Sequence, residues 1–418
     1  MKQGLLSGLD EAVAWLEAKS NELIRGSRRE TTSGIAAFAP QAGSGYEAFW
    51  LRDYAYMLEG NIAAFSDKEL RDAYLFFVDA QREDGAAPDC VRFDGTPIYM
   101  PGLGTLGRNP VADGSQFLVD VAWHTYQRTH DSELIESTIG RLVKAMNAVP
   151  RSIVCNSTRL ASQGILSLSK DAVRAVTNDA PYAVPRNPDT HLVHIKPGAD
   201  LDRCGYGFTD TVVKHGDELF CSLLFVQAGG QLADLFGVIH RKEEAQHWRD
   251  EADVVAENVR NVFWDAEIGL FRAATVQCRE PDIWGSAFAV FTGVATESQS
   301  PTIAEYFRDH YNEIAKRGQL RHIPGGMYWE VAREQEKYQN GAYWAAPVGW
   351  FVYTLDLLEP DLADRTVVDM VQDFIDTGDV NECVNDGYAN VSRYVVSATL
   401  PLDGIRIMMR RRRSWQLA

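Results

Sequence analysis

The chain has 418 residues, of which 24% are charged and 45% hydrophobic, and a formal net charge of −17. That is enough apolar material for one large core, and the acidic balance argues against a polyanion partner, since the basic stripe that binding a phosphate backbone requires appears nowhere but at the very end, so nucleic acid is not an expected partner. No run of 18 unbroken apolar residues occurs, so no membrane span is expected either.

The amino-terminal segment, MKQGLLSGLDEAVAWLEAKSNELIRG, reads as an acidic amphipathic helix. It lacks a signal-peptide apolar region and a small-residue cleavage site, so a cytoplasmic location is expected. From there, apolar residues at three- and four-residue spacing predict about twelve helices, near 6–24, 52–65, 67–81, 114–130, 132–149, 217–238, 241–264, 281–293, 301–315, 345–358, 362–378 and 389–409. Ser66, Ser132 and either Thr296 or Ser300 stand at N-cap positions, and Pro301 and Pro360 punctuate helix boundaries.

The helices alternate in character. RKEEAQHWRDEADVVAENVRNVFW carries a charged face, whereas the preceding DELFCSLLFVQAGGQLADLFGV is apolar nearly all round; DLADRTVVDMVQDFIDTG and AAPVGWFVYTLDLL differ in the same way. A helix apolar on every face is buried, and one with a polar stripe lies outside. Six such alternations predict an all-α fold, an (α/α)6 barrel of six inner helices wrapped by six outer ones, forming a single domain over 1–418. Links within a pair are short (SDKE, HDSE). Links between pairs are long, at roughly 25–51, 82–113, 150–216, 265–280, 316–344 and 379–388, and they are expected at one end of the barrel. VRFDGTPIYM and LFRAATVQC among them read as small β-hairpins.

The six cysteines form no CxxC pair, so they are expected as reduced, mostly buried thiols with neither a zinc site nor a disulfide framework. The terminal run Arg410 to Arg413 reads as a solvated tail or a charge complement to the last helix C-terminus. No cofactor or metal is called for, although the acidic loops leave room for a structural calcium; the oligomeric state is not legible.

The long loops are rich in Trp, Tyr, Asp, Glu, Arg, Asn and Gln, notably in YEAFWLRDYAYMLEGN, QREDGAAPDCVRFDG, GYGFTDTVVKHGDELF, GGMYWEVAREQEKYQNGAYWAAPVGW and NECVNDGYANVSRY. A sugar site needs that mixture, because a pyranose offers C–H faces for aromatic stacking and a rim of hydroxyls for polar side chains. A small-molecule carbohydrate is therefore the expected partner. Asp89, Tyr206, Lys214 and Trp329 lie in these segments as candidate binding residues.

Three stretches carry a resemblance: DGSQFLVDVAWHTYQRTHD, WRDEADVVAENVRNVFWDAEIGLF and YQNGAYWAAPVGWF. In order and spacing they resemble the six-hairpin glycosidase superfamily, and are similar to the glucosidase domain of glycogen debranching enzymes, processing α-glucosidases and exo-α-mannosidases. The family's Tyr-His-Asn-Gly stretch has Gln339 here in place of His, and a Glu-Asn-Tyr-Asn-Pro run seen around the final base of several relatives is missing. The resemblance implies a sugar-holding aromatic–Arg–Asp group at Trp50, Arg52 and Asp53, and a pocket shaped further by Gln339, Asn340 and Trp344. It implies Asp210 as general acid and Glu382 as general base. Glycoside hydrolysis needs one protonated and one ionised carboxyl.

Asp217 competes with Asp210 but sits where an N-cap of helix 217–238 belongs, and Glu330 and Glu336 rival Glu382. The implied activity is inverting, exo-acting α-glycoside hydrolysis on a short oligosaccharide or small glycoside, with glucose favoured over mannose. A sugar 2-epimerase on the same fold is an alternative, but no inner helix carries the paired histidines its proton transfers need. A non-catalytic glycan-binding protein is another. A lyase or unsaturated glucuronyl hydrolase would want a basic groove, and none is visible.

Overall fold

A computed structural model describes residues 6–43, 45–99, 111–148, 186–187, 189–195, 211–212, 214–330, 332 and 334–417. Twelve long helices occur among them: α1 (Leu9–Ser27), α2 (Leu51–Asn61), α3 (Asp67–Asp79), α4 (Gly114–Thr129), α5 (Ser132–Ala148), α6 (Leu219–Val238), α7 (Lys242–Phe263), α8 (Ile283–Phe291), α9 (Gln299–Asp309), α10 (Val348–Leu355), α11 (Pro360–Thr377) and α12 (Val396–Leu417). One-turn helical pieces follow α2 and α9.

The alternation of character has a packing consequence. Along α7 only Ala245, Trp248, Ala252, Val255, Ala256, Val259 and Phe263 are buried, a single stripe at helical spacing. Most of α2, α4, α6, α8 and α10 is buried on all sides. The even-numbered helices touch in a closed cycle, α2 to α4 to α6 to α8 to α10 to α12 and back to α2, while α1, α3, α5, α7, α9 and α11 pack against that cycle from without. Helix α6 is long and apolar enough to cross a membrane by composition, and its surface is covered by α4, α7 and α8.

Close approach within the cycle depends on glycine. A Cβ at Gly404 of α12 would lie 2.3 Å from the Gly349 carbonyl of α10, so neither helix admits a side chain at the crossing. Helix starts follow local chemistry. Ser66 and Glu69 form a reciprocal capping box on α3, and Thr296 Oγ1 accepts from Gln299 N at 3.1 Å ahead of α9. Ser132 is the first residue of α5 and not its cap; Asp131 takes that role, accepting from Leu134 N at 3.0 Å.

Small antiparallel sheets occupy the long connections. β1 (Arg28–Glu30) pairs with β2 (Ala36–Phe38), and β3 (Ala48–Trp50) with β4 (Cys90–Arg92), which continues to β5 (Pro97–Ile98) as the expected VRFDGTPIYM hairpin. β6 (His194–Ile195) joins β7 (Gly216–Asp217), and β8 (Trp264–Asp265) joins β9 (Leu270–Phe271). β10 (Ala315–Lys316), β11 (Gln319–Leu320), β12 (Tyr343–Trp344), β13 (Cys383–Asn385) and β14 (Tyr388–Asn390) make one five-stranded sheet, tying the last two long connections together.

Three sequence expectations need correction. LFRAATVQC is more than a hairpin on itself: Arg272 bridges Pro281 just beyond it, its start pairs back to β8, and Ala274 and Gln277 bridge to Glu218 and His215. The last helix begins at Val396 and not near 389, because 388–390 is drawn into the five-stranded sheet. It also continues through the terminal arginines, which are not all a solvated tail. Arg411 reaches Asp356 Oδ2 at 2.7 Å, and Arg412 pairs with both Asp356 and Asp364.

Cys90, Cys221, Cys278 and Cys383 are buried and form no disulfide; Cys155 and Cys204 lie outside the described residues.

Candidate active site

Strand β3 runs directly into α2, with Trp50 extended as the last residue before the helix. Because Trp50 pairs with Cys90 across β3 and β4, Asp89 is set beside the first turn of α2, and Leu51 N donates to the Asp89 carbonyl at 2.9 Å. Arg52 then spans two acids. Its Nε and Nη2 donate to the two oxygens of Asp113 at 2.9 and 3.1 Å, and Nη2 lies 3.6 Å from Asp89 Oδ1. All three side chains are buried, a fork-to-carboxylate arrangement in which each charge depends on the others. Trp50, at the N-cap of α2, makes no side-chain cap hydrogen bond.

Asp53 faces the other way. Its Oδ1 accepts from the Tyr394 hydroxyl at 2.7 Å, just ahead of α12. Burial, together with the charges of Asp53 and Glu382, holds the Tyr394 hydroxyl far above its usual range, so it stays a proton donor. Glu382 stands at the edge of the five-stranded sheet, where its backbone N–H donates to the carbonyls of Asn390 and Val391. Its carboxylate is buried; Oε2 accepts from Asn390 Nδ2 at 2.7 Å and Oε1 from the Tyr338 hydroxyl at 3.3 Å. Both of these donors are neutral and orient the carboxylate, which suits a group that must accept a proton.

Tyr338 belongs to a tightly wound loop with positive φ at Glu336 and Tyr338. Trp344 Nε1 donates to the Tyr338 carbonyl at 3.2 Å, with the rings 5.1 Å apart. The next residue, Gln339, turns inward; its Oε1 accepts from Thr211 N at 3.0 Å and Thr211 Oγ1 at 2.8 Å. Asn340 Oδ1 accepts from Trp329 N at 2.9 Å, and Trp329 Nε1 donates to the Gln339 carbonyl at 2.9 Å. Gln339, Asn340, Trp329 and Trp344 are thus buried residues that brace the loop. Asp210 and Tyr206 lie outside the described residues; Thr211, next after Asp210 in sequence, is the point that Gln339 holds.

Lys214 is fully buried, 3.1 Å from Glu218 Oε1 and 3.3 Å from Asp282 Oδ2, with its ammonium 5.1 Å from the Trp329 ring centroid. Burial opposes its charge, but the two carboxylates win and raise its pKa above the usual lysine range. Asp282, despite burial, is held well below the carboxylate range by Lys214 and His322. Asp217 is not the cap of α6. Glu218 is, accepting from Cys221 N at 2.7 Å, while Asp217 accepts from His194 at 2.7 Å and from Asn187 and Thr190 at 3.1 Å.

Of the rival bases, Glu330 Oε2 accepts from Cys278 N at 3.2 Å. Glu336 is tied to Tyr328, Asn385 and Arg321; burial alone would raise its pKa, but these partners lower it. Asp113, Tyr338 and Glu280 stand outside the sequence-derived set. The first two carry a sequence signal, since Asp113 heads the DGSQF segment and Tyr338 precedes Gln339 in YQNG. Glu280 carries none. Its Oε1 accepts from Glu330 N at 2.6 Å, its Oε2 is buried without a hydrogen-bond partner, and burial with the Glu330 charge raises its pKa, a state suited to giving up a proton.

No protein-family model matches the chain, and no curated protein sequence matches it. Solved structures do. A GH63 mannosylglycerate hydrolase from Thermus thermophilus in complex with glucose superposes with a TM-score of 0.58 at 13% identity, covering 93% of this chain and 99% of that one. An uncharacterized conserved protein from the same organism gives 0.57 at 14%, with the same coverage. A rhamnosidase from Klebsiella oxytoca with rhamnose bound gives 0.61 at 13%, covering 98% of this chain and 66% of that one. At such identities the likeness establishes a shared fold, here with glycoside hydrolases.

Proposed function

We propose that this chain is an inverting, exo-acting α-glycoside hydrolase built on an (α/α)6 barrel, taking a short oligosaccharide or small glycoside, with glucose favoured at the cleaved position. The closed cycle of inner helices supports the barrel. The observation that carries the activity is the setting of Glu382, a buried carboxylate oriented by Tyr338 and Asn390, whose charge acts on Tyr394, the donor to Asp53. Fold kinship with a mannosylglycerate hydrolase and a rhamnosidase adds to it. In this reading the chemistry is of the α-glucosidase and debranching type found on (α/α)6 barrels.

Glu382 takes the proton of the attacking water, and Asp210 gives one to the leaving oxygen, the division of labour of an inverting enzyme. Trp50 stacks on the sugar, and Asp53 holds its hydroxyls. Arg52 fixes Asp89 and Asp113 at the rim, and Gln339 positions the Asp210 loop through Thr211. Asn340, Trp344, Trp329 and Lys214 act one layer behind the sugar.

The test is a screen of aryl α-glucoside, α-mannoside and α-rhamnoside and of small natural glycosides, with the released anomer followed by proton NMR, on the wild type, Asp210→Asn, Glu280→Gln and Glu382→Gln. Release of the opposite anomer, lost in the Asp210 and Glu382 variants, is the expected result. Loss in Glu280→Gln with retention in Asp210→Asn would move the acid to Glu280. Sugar binding without release in any sample would leave a glycan-binding protein.

A further inference from the structure

A second polar cluster lies further down the inner helices. Glu59 is six residues past Asp53 on α2, about 9 Å along the helix, and Gln231 is thirteen residues past Glu218, about 20 Å. Glu59, Asp120 and His124 each offer a ligand atom, all within 4.8 Å of one another. Asp120 and His124 stand at i and i+4 on α4, with His124 Nε2 3.5 Å from Asp120 Oδ1. Asp403 of α12 faces the same group and acts electrostatically on both Glu59 and His124.

Two glutamines of α6 close the cluster. Gln231 Nε2 donates to Asp120 Oδ1 at 2.5 Å, and Gln227 Nε2 approaches Glu59 Oε1 at 3.4 Å. Gln231 is 8% exposed and Asp120 4%, yet Gln231 Oε1, Gln227 Oε1 and Asp120 Oδ2 are all buried without a hydrogen-bond partner. An orphaned buried oxygen forfeits its hydration for nothing in return. Unpartnered oxygens on three residues of the cluster, together with the carboxylates and the imidazole, make a donor set for a cation.

We infer that Glu59, Asp120 and His124, with the side-chain oxygens of Gln227 and Gln231, form a binding site for one divalent transition-metal ion inside the helical ring. One nitrogen with several oxygens matches Zn2+ or Mn2+ rather than an all-oxygen calcium site. Ligand atoms within 4.8 Å of one another are spanned by a single ion at metal–ligand distances of about 2.0–2.4 Å. Glu59 and His124 are only partly buried, which gives an ion a route in. The positive charge offsets three carboxylates that α2, α4 and α12 direct at one another.

The experiment uses the full chain, stripped with EDTA and desalted, titrated calorimetrically with ZnCl2, MnCl2 and MgCl2, in the wild type, Glu59→Gln and His124→Gln. One Zn2+ or Mn2+ per chain, with affinity lowered on the order of 10²-fold in each variant and Mg2+ bound far more weakly, is the expected result. No binding by the wild type, or equal binding by the variants, overturns the site. Should a variant fail to fold, Co2+ added to the wild type decides: a one-to-one visible spectrum with a paramagnetically shifted imidazole N–H supports the assignment, and its absence rejects it.

Discussion

The Tyr394 hydroxyl donates to Asp53 Oδ1 at 2.7 Å across 341 residues of sequence. The bond joins the first turn of the first inner helix to the chain just ahead of the last one, so closing the ring of helices also sets Asp53 against Tyr394. Tyr394→Phe should therefore weaken the positioning of Asp53 while leaving Glu382 on its own donors. Steady-state kinetics on the glycoside found in the screen should show KM rising more than kcat falls.

Glu382→Gln removes the proton acceptor and keeps the shape. Turnover should fall by about 10²–10⁴-fold, the usual worth of a positioned base, with sugar affinity retained. Asn390→Ala removes only the 2.7 Å donor to Oε2 and should cost about tenfold, because the Tyr338 hydroxyl still holds Oε1. Equal losses in the two variants would mean that Asn390 is the essential group.

Asp113→Ala takes from buried Arg52 its closest carboxylate, while Asp89 stays at 3.6 Å. Breaking a buried ion pair from one side costs about 3–5 kcal/mol, so denaturant unfolding should show a loss of that order.

Gly404→Ala should be more harmful than its size suggests. Its new methyl would meet the Gly349 backbone at 2.3 Å, which forces α10 and α12 apart, and overpacking of this kind costs about 1–3 kcal/mol or more. Gly140→Ala on the exposed face of α5 meets nothing within 4 Å and should stabilise by about 0.5–1 kcal/mol through helix propensity. Thermal melts of the two variants should move in opposite directions.

Burial raises Asp403 to about 6, with Asp120 adding to the rise and His124, Arg410 and Arg406 opposing it. The folded state therefore holds this proton more tightly than the unfolded chain, so the stabilisation is complete below the unfolded carboxylate range and is lost as pH rises through about 6. Glu59 shifts in the same direction, chiefly by burial and then by Asp120 and Asp403. In EDTA, Asp403→Asn should flatten the fall in stability between pH 4 and 7 and should be more stable than the wild type at pH 8, by about 2–3 kcal/mol at most. Unchanged pH dependence in the variant would assign the effect to Glu59.

The helices and their two classes are written in the order of residues along the chain. Stripes such as Ala245, Trp248, Ala252, Val255 and Val259 on α7, set against the all-round burial of α6, follow from periodicity, because a helix face must match the medium it meets. Glu382, Arg52 and Asp53 are singled out as candidates by local motifs. Their partners came only with packing: that Arg52 spans Asp89 and Asp113, that Tyr338 and Asn390 orient Glu382, that Glu218 and not Asp217 caps α6, and that Gln339 reaches Thr211. Hydrogen bonds and ion pairs are short-ranged and directional. Which donor meets which carboxylate is fixed only when helix packing brings loops hundreds of residues apart to one rim, and no spacing along the chain encodes that meeting.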